Sequence, residues 1–368
     1  MSRNLIRCAL AGLTAAVFLF VGPAVRAQDL LVGQVASQTS PVTAANARGM
    51  AIGIKTYFDS VNDQGGVSGR SVKLITKDDG LVPGKMVEIT KEFIADKNVL
   101  VLAGYVNTGG LTELSKANLL GGSGMALVAP LQGDKSIVGA ANFFPFRSGY
   151  PDEVTALIKE AQSNFKKKAV VVYWNVTFGP AMMQLAQEVS KEVGLNVTAW
   201  VPIDAKAQDK FDAVMKQAVD AVVKESPDAV IMLISGRYAL EFVKQIKNSA
   251  AKTAQLYAMS IVPSGDVVKA VGDAARGMVI AQAVPFPFSP SRPLVSEYQK
   301  TMKRYAPDEP LSFATLEGFV AGKITATAPT RHGAHPPRDT VPSSPNPKPA
   351  RSPAAGLPHP PPPPPSGA

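Results

Sequence analysis

Cysteine and histidine are almost absent from this chain. Of 368 residues one is cysteine, Cys8, and the three histidines, His332, His335 and His359, all lie near the carboxyl end. Residues 28–324 therefore contain no thiolate nucleophile, no His-based triad, no disulfide and no Cys/His metal site. Two further motifs are missing. No Gly-rich dinucleotide fingerprint follows the first strand-like run, and no G-x-S-x-G nucleophile elbow occurs. The nearest string, Gly121-Gly122-Ser123-Gly124, precedes a strand, whereas an elbow has to follow one. No basic stripe interleaved with aromatics is present, so nucleic acid is not an expected partner.

The amino end reads as an export signal. Arg3 and Arg7 precede the apolar run Ala9–Val21, and Val25-Arg26-Ala27 fits a small-x-small cleavage site. The run is too short for a permanent bilayer anchor, and Cys8 lies before it, where a lipid-modified cysteine has to follow. A periplasmic protein cleaved near Ala27, without stable membrane insertion, is expected. From Thr325 to Ala368 there is no Phe, Tyr or Trp, while 15 of the 31 prolines fall there. Such a segment buries too little apolar surface to offset its ordering entropy and is expected to be disordered or polyproline-like. The net charge of +9 divides equally among the signal, this tail and everything between. The body is thus only weakly basic.

Roughly 300 residues remain, enough for two α/β lobes. Strand-like runs (Leu30–Ala36, Val72–Thr76, Val99–Ala103, Met125–Ala129) alternate with helical periodicity around Ala47–Val61, Lys85–Ala95 and Leu111–Leu119. A second series has strands at Ala169–Tyr173, Asn196–Val201, Ala229–Ile234, Gln255–Ala258 and Gly277–Val284. Its helices are at Asp152–Phe165, Pro180–Val193, Phe211–Lys224 and Tyr238–Asn248, with Leu294–Tyr305 and Phe313–Lys323 after them. Alternation of this kind implies parallel, doubly wound sheets, whose ligands bind at the carboxyl ends of strands. The passage Tyr57–Gly80 is the most telling. A helix with Met50, Ile54, Tyr57, Phe58 and Val61 on one face stops at Gly65-Gly66, turns again at Ser68-Gly69-Arg70, and a strand leads into Asp78-Asp79-Gly80.

That helix–GG–strand–DD passage behind a signal peptide resembles the periplasmic leucine/isoleucine/valine-binding family, the type I solute-binding proteins of ABC transporters. The resemblance spans about Leu30 to Lys323. It implies two Rossmann-like lobes with a ligand cleft at the hinge, divided as lobe 1 over 28–147, lobe 2 over 148–284 and a return to lobe 1 over 285–324, after the signal at 1–27. Crossings fall near Arg147–Pro151 and Val284–Pro287. The family's third crossing is replaced by the tail at 325–368, which has the character of a shifted reading frame in a GC-rich gene. The function implied is non-enzymatic capture of a small carboxylate ligand by a monomer, without cofactor, and delivery to ABC permease subunits. A ligand-sensing receptor of the same fold, or an α/β enzyme, are the alternatives.

The same resemblance supplies candidate ligand residues. Thr108 and Gly109 open the helix after the third strand, where the family grips a carboxylate; an ordinary helix cap uses the same residue types. Leu131, Gln132 and Gly133 match a second gripping loop, but without its hydroxyl. Phe178 keeps the family's pocket aromatic, with Trp174 beside it. Ser235 stands where relatives carry an aromatic ring, so that role is either missing here or taken over by Tyr238. Ser260 stands where leucine-binding members hold the ligand's ammonium with Glu, so a carboxylate lacking an α-amino group is expected. Thr43 and Asn46 are candidate contacts from the loop after the first strand. Asp78 and Asp79 read as caps for the helix near Pro83 and braces for the hinge, not as metal ligands.

Overall fold

The computed structural model describes residues 28–175, 178–204 and 207–331. The expected export signal, the three histidines and the tail from residue 332 lie outside them.

The first lobe runs β1 (Leu30–Val35), α1 (Ala44–Asp63), β2 (Val72–Lys77), α2 (Pro83–Ala95), β3 (Val99–Ala103), α3 (Thr108–Lys116), α4 (Leu119–Ser123), β4 (Leu127–Val128) and β5 (Phe143–Phe144). The chain then crosses to α5 (Tyr150–Ser163), β6 (Ala169–Trp174), α6 (Gly179–Val193), β7 (Val197–Ile203), α7 (Phe211–Glu225), β8 (Ala229–Leu233), α8 (Gly236–Lys247), β9 (Gln255–Ala258), α9 (Ser264–Val271) and β10 (Val279–Ile280). Two helices follow, α10 (Pro293–Tyr305) and α11 (Phe313–Arg331). Strands with continuous apolar runs are covered on both faces, as parallel sheets require; every residue of β8 is buried.

Both sheets are parallel and five-stranded, ordered β2-β1-β3-β4-β5 and β10-β9-β8-β6-β7. This is the two-lobed α/β architecture expected. In each sheet the order in which strands are added reverses once, between β1 and β3 and between β6 and β8, and the crevice outside such a switch point is where doubly wound sheets bind ligands. The loops that diverge there carry Ser37–Thr43 and Asn107 in one lobe, and Phe178 and Ser235 in the other.

Three expectations need correction. The strand proposed over Gly277–Val284 is only Val279–Ile280, because the turn from Gly272 to Gly277 and the prolines after Val284 leave two residues to pair with β9. The strand proposed over Met125–Ala129 shrinks to Leu127–Val128. Residues 325–331, assigned to a disordered tail, continue α11, with Thr325 and Ala326 buried at 4% and 6% exposure. The physical reason is the seat of α11 on α1. Small residues let the two backbones approach, so Thr325 and Ala326 stay buried although neither is a large apolar residue.

That approach is tight. A Cβ on Gly53 would lie 2.1 Å from the Thr315 carbonyl oxygen and 2.5 Å from the Phe319 nitrogen, and one on Gly318 would lie 2.2 Å from the Met50 oxygen. Around it, Tyr298, Met302, Leu316 and Phe319 form a cluster with Val284 and Val295, and Phe319 meets Tyr57 edge-on at 5.0 Å. Gly53→Ala forces α11 off α1 and is expected to cost about 1–3 kcal/mol or more, as overpacking does, read as a lower melting temperature. Gly84→Ala, where no atom lies within 4 Å of the added carbon, is the control and should leave melting unchanged or raise it. Equal melting of the two variants would refute the tight seat.

Candidate functional site

Asp79, at the carboxyl end of β2, is fully buried and ties three strand ends together. Its carboxylate accepts from the Ser37 hydroxyl, from Asn107 Nδ2 at 2.7 Å and from the Leu81 N–H at 3.0 Å. Asp78 accepts from the N–H groups of Thr39 (2.9 Å) and Gly80 (2.8 Å). Burial works to raise Asp78, but these hydrogen bonds outweigh it and hold the carboxyl below its usual range. Helix α2 opens at Pro83 after Val82, with no side-chain cap, so the pair braces loops and does not cap that helix. No group of three or more potential metal ligands exists among the described residues.

The cap of α3 is Asn107, whose side-chain oxygen accepts from Gly110 N–H at 3.1 Å. Thr108 is one position further in, and its carbonyl accepts from the Thr112 hydroxyl at 2.9 Å and from Gln132 Nε2 at 3.5 Å. Burial pushes the Tyr150 phenol up to about 12. Gly109 packs against the Pro83 ring, 3.0 Å from where its Cβ would stand. Gln132 is buried and knits its own loop, accepting from Asp134 N–H at 3.0 Å. Gly133 accepts from Tyr150 N–H at 2.7 Å, and any Cβ there would lie 2.6 Å from that residue.

In the second lobe, aromatic rings run in a chain. Phe178 lies 5.0 Å from Tyr150 and 6.5 Å from Trp174, Trp174 lies 5.5 Å from Tyr238, and Tyr238 lies 4.9 Å from Phe211. Tyr238, expected at the ligand, is therefore part of the second lobe's core. Ser235 is buried and extended just before α8. The lobes touch beside it. Gly236 has φ +55°, and a Cβ there would sit 2.2 Å from the Val42 oxygen. Arg237 N–H donates to the Pro41 carbonyl at 3.2 Å, and Asn46 Nδ2 to the Ile261 carbonyl at 3.0 Å. The conformation is closed.

Sequence reasoning missed the centre of the site. On the crossing after β5, Arg147 is buried, its side chain 2% exposed, between Glu153 of α5 at 3.4 Å and Glu317 of α11 at 3.6 Å. Its Nη2 donates to the Ser260 hydroxyl. Ser260 in turn donates to Glu153 through its hydroxyl (2.8 Å) and its N–H (2.9 Å). Arg147 Nε and Nη1 and Glu317 Oε1 have no hydrogen-bond partner. Burial pushes the Glu317 carboxyl above its usual range, against the pull of Arg147. The signal available in sequence was a lone charge in each of two apolar segments, Phe143–Phe146 followed by Arg147 and Leu316–Val320 containing Glu317.

Arg147, Ser260 and Glu317 line a cavity of about 250 Å³, walled also by Asn46, Leu131 and Phe313. Of the expected ligand residues, Asn46, Leu131 and Ser260 border this cavity, while Thr108, Gly109, Gln132, Gly133, Phe178, Ser235 and Tyr238 do not.

Two parallel sheets whose switch points face each other, with a cavity between the lobes, define a two-lobed binding protein. The family model described as periplasmic binding protein matches residues 29–343, and the chain belongs to that family. A substrate-binding periplasmic protein from Ralstonia solanacearum shares 26% identity with a TM-score of 0.77, over 84% of this chain and 87% of that one. An extracellular ligand-binding receptor from Verminephrobacter eiseniae shares 25% identity with a TM-score of 0.76, over 84% and 86%. A solute-binding protein of an ABC transporter from R. palustris, in complex with benzoate, shares the fold at 21% identity and a TM-score of 0.69, over 80% and 79%. No curated protein matches. Among the described residues no helix is long and apolar enough to cross a membrane.

The assignment of the cap is testable by melting. Asn107→Ala removes the cap of α3 and one partner of buried Asp79 and should cost about 1–2 kcal/mol, whereas Thr108→Ala should cost much less. The reverse order would return the cap to Thr108.

Proposed function

We propose that this chain is an exported, non-enzymatic solute-binding protein. Cleaved near Ala27, it works as a monomer in the periplasm, captures a small organic acid between its lobes and hands it to the permease subunits of an ABC importer. Membership of the periplasmic binding protein family supports capture and delivery. Hinge closure is the mechanism: a ligand that touches both lobes at once favours the closed state by its differential affinity.

The ligand class rests on one observation, the buried guanidinium of Arg147 against Ser260. Where relatives use a Glu to hold an ammonium, this protein carries its own cation. That guanidinium repels a ligand ammonium placed beside it, and Glu153 is already engaged by both donors of Ser260. Arg147 instead has two N–H groups without partners beside a cavity of about 250 Å³. Helices α1, α9 and α11 all open onto that cavity, through Ala45, Ser264 and Phe313 among others, and the positive ends of helices favour an anion. A carboxylate without an α-amino group satisfies all of these, and Leu131, Ile52 and Phe313 supply apolar wall. The benzoate-bound relative is an example of the same fold around such an acid.

Calorimetry with 4-methylpentanoate (leucine without its amino group), benzoate and leucine tests the ligand class. The two acids should bind more tightly than leucine; micromolar leucine binding with no response to either acid would overturn it. Closure has its own test in Gly236→Ala. The added methyl meets Val42 of the other lobe, an overpacking of about 1–3 kcal/mol that only the closed state feels. The closed state should lose about tenfold or more in population. Small-angle scattering should show the wild type compacting with saturating benzoate and the variant staying extended. Equal compaction would dismiss closure as the capture step.

A further inference from the structure

The cavity that suits a carboxylate already holds one carboxylate too many. Arg147 is a single positive charge between Glu153 and Glu317. Glu153 is fully engaged, accepting from Ser260 N–H, from the Ser260 hydroxyl and from Arg147 Nη2. Glu317 is the surplus group. Its ion pair with Arg147 Nη1 is 3.6 Å long, too long for a hydrogen bond, so Oε1 and Nη1 are both left without partners at the cavity wall. A second anion entering this buried cluster meets like charge at short range in a poorly screened place, where repulsion costs several kcal/mol.

We infer that capture of a carboxylate here takes up one proton from solvent onto Glu317, making Glu317 the residue that admits an anion and sets the pH dependence of binding. This rests on the carboxylate reading of the same site. The proton removes the surplus charge, frees Arg147 Nη1 for the ligand and turns Glu317 from an orphaned acceptor into a donor. The ligand remains ionised, so the balance is one carboxylate and one proton in.

The other charged groups nearby do not supply this. The crossing contributes only Arg147; α5 contributes Glu153 and Tyr150, whose phenol burial holds in its neutral form; the turn after β9 contributes Ser260. At the rim, α1 places Arg48, α9 places Asp266 and Lys269, and the approach to α11 places Glu309. Arg48, Lys269 and Glu309 are exposed and screened by salt, and Asp266 has Lys269 at 4.0 Å.

The sign follows from linkage. Burial has already raised Glu317 in the free protein, and a bound anion raises it further. Between those two values the proton is absent before binding and present after, so affinity falls as pH rises through that window. Calorimetry of the full chain with benzoate between about pH 6 and pH 8, where a simple carboxylic acid stays ionised, reads this directly. In two buffers of different ionisation enthalpy, benzoate binding should show net proton uptake of up to one per benzoate, and wherever uptake is seen Kd should rise with pH by up to about tenfold per pH unit. Glu317→Gln should bind benzoate with no proton uptake and a flat profile. Benzoate binding without proton uptake in the wild type, or a slope that survives in Glu317→Gln, overturns the inference and leaves the carboxylate reading standing. Should Glu317→Gln fail to fold, the wild-type proton count still decides. Absence of binding by benzoate and 4-methylpentanoate at every pH overturns both.

Discussion

One buried guanidinium fixes how the parts of this protein meet. Arg147 leaves the first sheet on the crossing after β5 and reaches three separate elements: Glu153 on α5, Ser260 beyond β9 and Glu317 on α11. Taking such ions out of water costs several kcal/mol each, and their attraction offsets this only when the geometry and the surrounding hydrogen bonds are good. On the Glu153 side they are, because Ser260 gives that carboxylate two donors. On the Glu317 side the bond is long and open. The well-made half holds the crossing to the second lobe, and the unfinished half faces the cavity.

The lobes themselves are stiff for a related reason. Asp79 binds Ser37, Leu81 and Asn107, so the ends of β1, β2 and β3 move as one piece. The aromatic chain from Phe178 through Trp174 and Tyr238 to Phe211 does the same in the second lobe. Beyond the crossing itself, where Gly133 and Arg147 bond the second lobe, the cleft loops among the described residues meet through few polar contacts, such as Pro41 with Arg237 and Asn46 with Ile261. Strong bonding within each lobe and sparse bonding between them is what lets a ligand decide how much of the population is closed.

The fold was legible because its signals are local. Gly65-Gly66 ends α1, the apolar runs of β6 and β8 are covered on both faces, and Pro180 and Pro293 mark helix starts. Legibility stopped where packing replaced pattern. Thr325 and Ala326 carry no apolar periodicity, yet they are buried because α11 rides on glycines of α1. The candidate site was legible in position and not in chemistry. Thr108 and Phe178 do lie at facing strand ends, but Phe178 packs at a tilt on Tyr150, and Thr108 lies by the same phenol. Neither partnership has a sequence signature, since Tyr150 sits 42 residues beyond Thr108 on the far side of the crossing.

Ser260 shows why reading a site one position at a time misleads. Taken alone, a serine in place of a glutamate reads as a missing charge. In space no acidic group is missing, because Glu153 is hydrogen-bonded to that serine and Glu317 lies across the same cavity. What is new is the cation between them. The site's selectivity depends on the sum of charges within a few ångströms, supplied here by a crossing, a helix of the second lobe and a helix that returns to the first. Arg147 offsets only one of the two carboxylates, and the surplus carboxylate makes admission of an anion depend on a proton. A binding cleft can thus change the sign of the group it admits while its fold and the loops around it stay the same.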